Sequence, residues 1–138
     1  MHVPEVNYAA VVVGGIAIFI LGGLWYSPIL FAKKWVALMG KTEEELRANA
    51  AGPSAYVVAF LCGLVTSYTM AVILSHFDPV TVPRGILVAV LCWIGFAGVT
   101  SFSSALFSGQ PKGLWLINSG YNLVAFIVAA VILSVWRY

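Results

Sequence analysis

Four long apolar stretches run along the chain, separated by two short connections and one longer one. They cover residues 7–30, 54–76, 84–107 and 113–136, and none contains Asp, Glu or Lys. About 20 apolar residues suffice for a helix to cross a hydrocarbon core of roughly 30 Å. None of the stretches alternates between polar and apolar residues as membrane-spanning strands do. We therefore predict an all-α membrane protein with four transmembrane helices, in a single domain over residues 1–138.

The long connection, residues 31–53, predicts two short helices. Its apolar residues recur on one side at helical spacing: Phe31, Trp35, Leu38 and Met39. Lys33 and Lys34 fall on the other side, as in an amphipathic helix that lies in the membrane interface. Gly40 should end this helix. Thr42 and Glu45 then fit a capping box, which predicts a second short helix to about residue 51.

The basic residues indicate the orientation of the chain. The long loop and the turn at residues 108–112 share one side of the membrane and hold five of them: Lys33, Lys34, Lys41, Arg47 and Lys112. Only Arg84 and Arg137 lie on the other side. The positive-inside rule places the five in the cytoplasm, so both termini are predicted to lie outside.

The same loop is a candidate for binding anionic lipid headgroups. Its candidate residues are Lys33, Lys34, Trp35, Lys41 and Arg47. Each basic residue near a membrane surface contributes about 1 kcal/mol to such binding. Any positive-inside loop shows a similar pattern, so general topology and specific lipid recognition both stay open.

Composition agrees with a lipid environment. Hydrophobic residues make up 62% of the chain and charged residues only 9%, whereas soluble domains carry roughly 25% charge. The net charge of +2 is too small and dispersed to favour a nucleic-acid partner. Cys62 and Cys92 lie at depths that differ by roughly 10 Å at helical rise, so we expect two free thiols.

Several kinds of chemistry lack the residues they need. Ionisable side chains within membrane spans usually mark proton or ion pathways, and the four stretches contain neither carboxylates nor lysines. No pair of His or Cys has the spacing of metal ligands. The hydroxyl run at residues 100–104 has no His or carboxylate at its depth to serve as a base. We therefore predict a protein that is not an enzyme and that uses neither a cofactor nor a metal.

The positive signal is a layer of uncharged polar residues in the inner half of the predicted bundle. The layer comprises Tyr26, Ser27, Thr100, Ser103, Ser104, Asn118, Tyr121 and Asn122. One interpretation is a pocket for a neutral or lipid-like ligand. The other is structural, because Ser and Thr often bond to their own helix and Asn bonds across helices.

Small residues indicate close contacts between helices. Gly14, Gly15, Gly22 and Gly23 give the first helix a flat face, and Gly63 and Ser67 form a small-xxx-small pair on the second. Such faces let backbones approach within a subunit or between subunits. Because four helices make a thin bundle, we expect a homo-oligomer, and a membrane-protein partner is possible.

A Leu-Trp-Tyr-Ser-Pro element lies within residues 22–28, and Phe31, Lys34 and Trp35 and a Thr-Glu-Glu-Glu segment at 42–45 follow it. With the Ile-Asn-Ser-Gly-Tyr stretch at 117–121, these features resemble the bacterial domain of unknown function 1761 family. The resemblance implies a small multi-pass protein of the bacterial inner membrane, with no assigned activity. It draws attention to its signature residues Trp25, Tyr26, Pro28, Lys34 and Trp35.

Three functional hypotheses follow. The leading one is an oligomeric membrane protein that binds or passes a neutral or lipid-like ligand at the polar layer. The alternative is a scaffold that contacts another membrane protein through its glycine faces. The third, a lipid-modifying enzyme that uses Tyr26 or Ser103, is the weakest because neither residue has a base at its depth.

Overall fold

The computed structural model describes residues 5–40, 44–45, 52–77 and 80–136, and this part of the chain is helical throughout apart from turns. Its helices are α1 (Tyr8–Trp25), α2 (Ala32–Met39), α3 (Pro53–Leu74), α4 (Val82–Trp93), α5 (Val99–Ser108) and α6 (Lys112–Val135). A π-helical segment, Ile94–Gly98, joins α4 and α5 into one continuous helix.

Within the described residues, four helices are long and apolar enough to cross a membrane, which confirms the predicted all-α membrane class. They are Tyr8–Trp25, Pro53–Leu74, Val82–Ser108 and Lys112–Val135. Of the second short helix predicted in the loop, only residues 44–45 are described, and both are helical. Thr42, Lys41 and Arg47 lie outside the described residues.

The last helix, α6, is the centre of the bundle. It packs against α1, α3 and α4, and α1 also packs closely against α3. In contrast, α3 and α4 touch very little. Apolar residues such as Ala10, Met70, Ala89 and Ala129 form the core where the spanning helices pack together. A cleft is left between α3 and the third spanning helix.

Most of the predicted small residues pack inside the subunit, whereas Gly23 is exposed. Gly14 packs directly against the Ser67 side chain, and Gly15 packs against Leu64. A Cβ atom added to Gly63 would come within 3.2 Å of the Gly15 carbonyl oxygen. Small residues of this kind let helix backbones approach each other where hydrophobicity cannot drive association. The contact therefore brings α1 and α3 together.

The first helix ends at Trp25 rather than at residue 30. Pro28 has no N–H to continue the helix, and the chain turns back on itself instead. The Phe31 N–H donates to the Trp25 carbonyl at 3.2 Å, and the Ala32 N–H donates to the Ser27 carbonyl at 3.1 Å. This turn leads directly into α2, which ends at Gly40 with φ of 69°, as predicted.

Candidate ligand-binding site at the loop end of the bundle

Two aromatic hydroxyls tie α1 to α6 at the end of the bundle where α1 leads into α2, here called the loop end. The Tyr26 hydroxyl donates to the Asn118 side-chain oxygen at 2.7 Å. The Tyr121 hydroxyl donates to the Ile18 carbonyl at 3.1 Å, and the rings of Tyr26 and Tyr121 meet edge to face with centroids 5.8 Å apart. Three residues of the predicted polar layer therefore form one cluster, which we call the tyrosine–asparagine cluster: Tyr26, Asn118 and Tyr121.

Trp25 fixes the wall beside this cluster. Its indole N–H donates to the Ile117 carbonyl at 2.9 Å, and its ring lies 4.8 Å from that of Phe31, between centroids. Trp35 of α2 packs edge-on against Tyr26 at 6.3 Å. These contacts hold α2 against the loop end of α1 and α6.

A groove of about 400 Å³ lies between α2 and α6, and we call it the interfacial groove. Trp25 and Phe31 form one wall of the groove, and Leu38 and Leu116 also line the groove. Lys34 is the one charged residue among the described residues that line it. The groove is therefore apolar along its length, with a single ammonium group available to it.

Two glycines of α6 allow this arrangement. A Cβ atom on Gly113 would come within 3.0 Å of Leu38, and one on Gly120 within 3.3 Å of Trp25. Larger side chains at these positions would push α2 and the Trp25 ring away from α6. Neither glycine was among the candidate residues from the sequence, because the need for them arises only from the packing of α2 on α6.

The serine and threonine residues of the predicted layer do not join the cluster. Ser27 donates to the Leu24 carbonyl at 2.6 Å, and Thr100 donates to the carbonyls of Phe96 and Ala97 at 3.1 and 3.3 Å. Ser103 and Ser104 are exposed on α5. Serine and threonine hydroxyls readily satisfy themselves on their own helix, so their depth in the sequence does not show what they face.

Asn122 lies away from the cluster although it follows Asn118 by one turn. It is exposed and lines a cavity of about 190 Å³ beside Cys62, Thr66 and Phe126. The two asparagines thus have different surroundings, one paired with Tyr26 and one facing the cleft next to α3.

Two further tryptophans bond to polar groups that sequence reasoning did not single out. The Trp115 indole donates to the Ser101 hydroxyl at 2.9 Å, and the Trp93 indole donates to the Ser119 carbonyl at 2.8 Å. Both bonds join the third spanning helix to α6. A buried indole N–H needs a hydrogen-bond partner, and this requirement is the sequence signal from which such bonds could have been predicted.

The candidate residues for binding lipid headgroups also differ from one another in what they contact. Lys33 and Lys34 are both exposed on α2, but only Lys34 lines the interfacial groove. Trp35 is half-buried against the tyrosine–asparagine cluster. The two remaining candidates, Lys41 and Arg47, lie outside the described residues. Cys62 and Cys92 are free thiols, as expected.

Comparison with known proteins places most of the chain in one family. The family described as protein of unknown function (DUF1761) matches residues 9–134. No curated protein and no solved structure matches the chain. The match includes the whole tyrosine–asparagine cluster and every described residue that lines the interfacial groove.

Proposed function

The chain belongs to the DUF1761 family of proteins of unknown function, and for this member we propose a non-enzymatic role, the binding of an anionic membrane lipid in the interfacial groove. The lipid phosphate lies at Lys34, and an acyl chain lies along Leu38 and Leu116. The observation that carries the proposal is the apolar groove of about 400 Å³ with one cationic side chain in its described lining.

The lining determines the class of ligand. Ligand sites of about 300–1,000 Å³ are mostly apolar, with a few polar groups that orient the ligand. Hydrocarbon along Phe31, Leu38 and Leu116 favours an acyl chain, and the Lys34 ammonium favours a phosphate, for which lysine acts as a point charge. An anionic amphiphile satisfies both parts, whereas a neutral ligand uses only the apolar one.

The position of α2 supports the same ligand. Its two lysines are exposed, while Leu38 packs against α6 at Gly113. Amphipathic helices with this distribution lie where headgroups meet acyl chains. Because the positive-inside rule places this loop in the cytoplasm, the groove belongs to the leaflet whose anionic lipids attract basic segments.

Hydrogen bonds within the chain fix the wall of the groove. Trp25 is bonded to Ile117, and Tyr26 behind it is bonded to Asn118. A site whose walls are already fixed loses little side-chain freedom when it binds. In this proposal the tyrosine–asparagine cluster is structural and supports the groove.

The two other hypotheses have less support. A scaffold that acts through small-residue faces needs those faces exposed. Of the predicted residues, Gly23 is exposed, but Gly14, Gly15, Gly63 and Ser67 are buried between α1 and α3. A lipid-modifying enzyme would use Tyr26 or Ser103. The Tyr26 hydroxyl is already hydrogen-bonded to Asn118, and Ser103 is exposed on α5, away from the tyrosine–asparagine cluster.

Native mass spectrometry of the full chain tests the proposal. The protein is embedded in nanodiscs that contain equal amounts of phosphatidylglycerol and phosphatidylcholine and is then released in the gas phase. We expect one phosphatidylglycerol per chain to survive activation that removes phosphatidylcholine. Equal loss of the two lipids, or a chain that retains neither, would contradict it.

A further inference from the structure

A cleft opens between α3 and the third spanning helix, with α6 as its floor. Two adjoining cavities lie along α3 and α6 and share Thr66 and Phe126. The third spanning helix also borders the one of about 220 Å³, whereas Ile18 of α1 borders the one of about 190 Å³, which Asn122 lines. The cleft exists because α3 and α4 touch very little while both pack against α6. We call it the α3–α4 cleft; it is separate from the interfacial groove.

Asn122 is the feature of this cleft that needs an explanation. It lies on α6 about 15 Å from Lys112 along the helix axis, which is near the middle of a hydrocarbon core of roughly 30 Å. Its side chain is exposed, and no group in the described part of the chain hydrogen-bonds to its amide. Acyl chains offer no hydrogen-bond partner, and an unpartnered amide in hydrocarbon is costly. Whatever covers the cleft should therefore bring both a donor and an acceptor to this depth.

The π-helical segment provides a second, independent observation on the same cleft. Phe96 lies within it, is 81% exposed and borders the larger cavity. Neighbouring Gly95 has open space where a side chain would be. Trp93 anchors the segment through its bond to the Ser119 carbonyl at 2.8 Å. A projecting ring thus lies at the edge of the larger cavity, and π-helical turns are frequent at functional sites.

We propose that a second copy of this chain covers the α3–α4 cleft in a two-fold symmetric dimer. A primary amide carries both donors and acceptors, so Asn122 of each copy pairs with the same residue of the other. Around a two-fold axis the same surface meets itself, and the Phe96 ring of each copy enters the cavity of about 220 Å³ beside Phe96 of the other. This arrangement satisfies the amide and fills the cavity with the same contact.

The dimer leaves the interfacial groove accessible. Gly120 lines the groove and Asn122 lines the cleft, and two residues correspond to about 200° around a helix. The two sites therefore lie on opposite faces of α6. Lipid binding and dimerisation can fail or succeed independently in experiment.

Association in lipid vesicles tests the proposal directly. Fluorescently labelled full-length chains are reconstituted in phosphatidylcholine vesicles over a range of protein-to-lipid ratios, and dimers are counted by single-molecule photobleaching. We expect wild-type dimers, and we expect Asn122→Leu to weaken association about tenfold, as for the loss of two interhelical hydrogen bonds. Asn122→Gln, which keeps the amide, should restore part of the affinity.

Matched variants separate the interface from general effects. Thr100→Val removes an exposed hydroxyl that is already bonded to its own helix, and it should leave association unchanged. Phe96→Ala should weaken the dimer, whereas Phe107→Ala, at a site that is 93% exposed, should not. A wild-type monomer at all ratios, or a dimer insensitive to both Asn122→Leu and Phe96→Ala, would overturn the proposal. So would a small lipophilic molecule that copurifies with a monomer and is lost in Asn122→Leu.

Discussion

Tyr26 and Asn118 are joined by a 2.7 Å hydrogen bond from the phenol to the side-chain oxygen, across 92 residues of sequence. The bond connects the residue that caps the C-terminus of α1 with the second turn of α6. Tyr26 also contacts Trp35 of α2 and Tyr121 of α6. One side chain therefore holds together three helices at the loop end of the bundle.

Removing this hydroxyl should destabilise the bundle by a small, measurable amount. Interhelical hydrogen bonds in membrane proteins contribute about 0.6 to 2 kcal/mol, so we expect Tyr26→Phe to lower the free energy of unfolding by about 1 kcal/mol. Unfolding in mixed micelles with increasing SDS measures the change. Tyr56→Phe is the control, because Tyr56 is 65% exposed.

A double-mutant cycle shows whether Asn118 is the partner. In a chain that already carries Tyr26→Phe, Asn118→Leu should lower the free energy of unfolding by less than it does in the wild-type chain. The reason is that the first substitution has already removed the hydrogen bond. If the two substitutions add without coupling, the bond does not contribute to stability.

The contact of Gly14 with Ser67 should tolerate no added atom. A methyl group at Gly14 meets the Ser67 hydroxyl, and Ser67 is fully buried. Overpacking of this kind typically costs about 1–3 kcal/mol, so we expect Gly14→Ala to lower the SDS midpoint of unfolding clearly. Ser67→Ala in the same chain removes the clashing oxygen and should recover part of the loss.

Gly23→Ala is the matched control on the same helix. A Cβ atom there meets nothing within 4 Å, and Ala is favoured over Gly in helices by about 0.5–1 kcal/mol. The control should therefore be neutral or slightly stabilising. Equal effects of the two substitutions would mean that α1 and α3 do not pack as described.

The number and type of the spanning helices could be predicted because length and apolar composition are sufficient to define a membrane span. The ends of the helices do not follow from length and composition. The turn at Tyr26–Phe31 depends on how Phe31 bonds back to Trp25, which a hydropathy pattern does not contain. The pattern does not contain the π-helical segment either, nor the hydrogen bond by which Trp93 beside it reaches Ser119 of α6.

The candidate site was predictable only in part. Depth along each helix follows from the sequence, and it correctly placed Tyr26, Asn118 and Tyr121 at one level. The direction of a side chain depends on neighbouring helices, so depth did not reveal that Thr100 bonds to its own helix. Nor did it separate Asn118 from Asn122, which are only about 40° apart around α6, although only Asn118 is bonded to Tyr26.

Lys34 should matter for anionic lipid, and Lys33 should not. Both are exposed on adjacent positions of α2, but only Lys34 lines the interfacial groove. A basic residue near a membrane surface contributes about 1 kcal/mol to binding anionic lipid, so Lys34→Gln should weaken phosphatidylglycerol retention about fivefold. Native mass spectrometry of lipid-loaded protein provides the measurement.

The adjacent lysine makes this comparison sharp. Lys33→Gln removes the same charge from the same helix, so a general surface effect lowers retention equally in both variants. Equal losses would show that the loop attracts anionic lipid only through its total charge, and that the groove is not the site.

Filling the groove should prevent lipid binding without unfolding the chain. Leu116 is 64% exposed and lines the groove, so Leu116→Trp places an indole in the space assigned to the acyl chain. The core is untouched, and surface substitutions of this kind usually change stability by less than about 0.5 kcal/mol. We expect retained phosphatidylglycerol to disappear while the SDS midpoint of unfolding stays near that of the wild type.

Leu106→Trp is the control for adding an indole to the membrane-facing surface. Leu106 is 54% exposed but lies on α5 and does not line the groove. Its substitution should leave lipid retention unchanged. If Leu116→Trp retains phosphatidylglycerol as well as Leu106→Trp does, the acyl chain lies elsewhere, and Lys34 then acts as a surface charge alone.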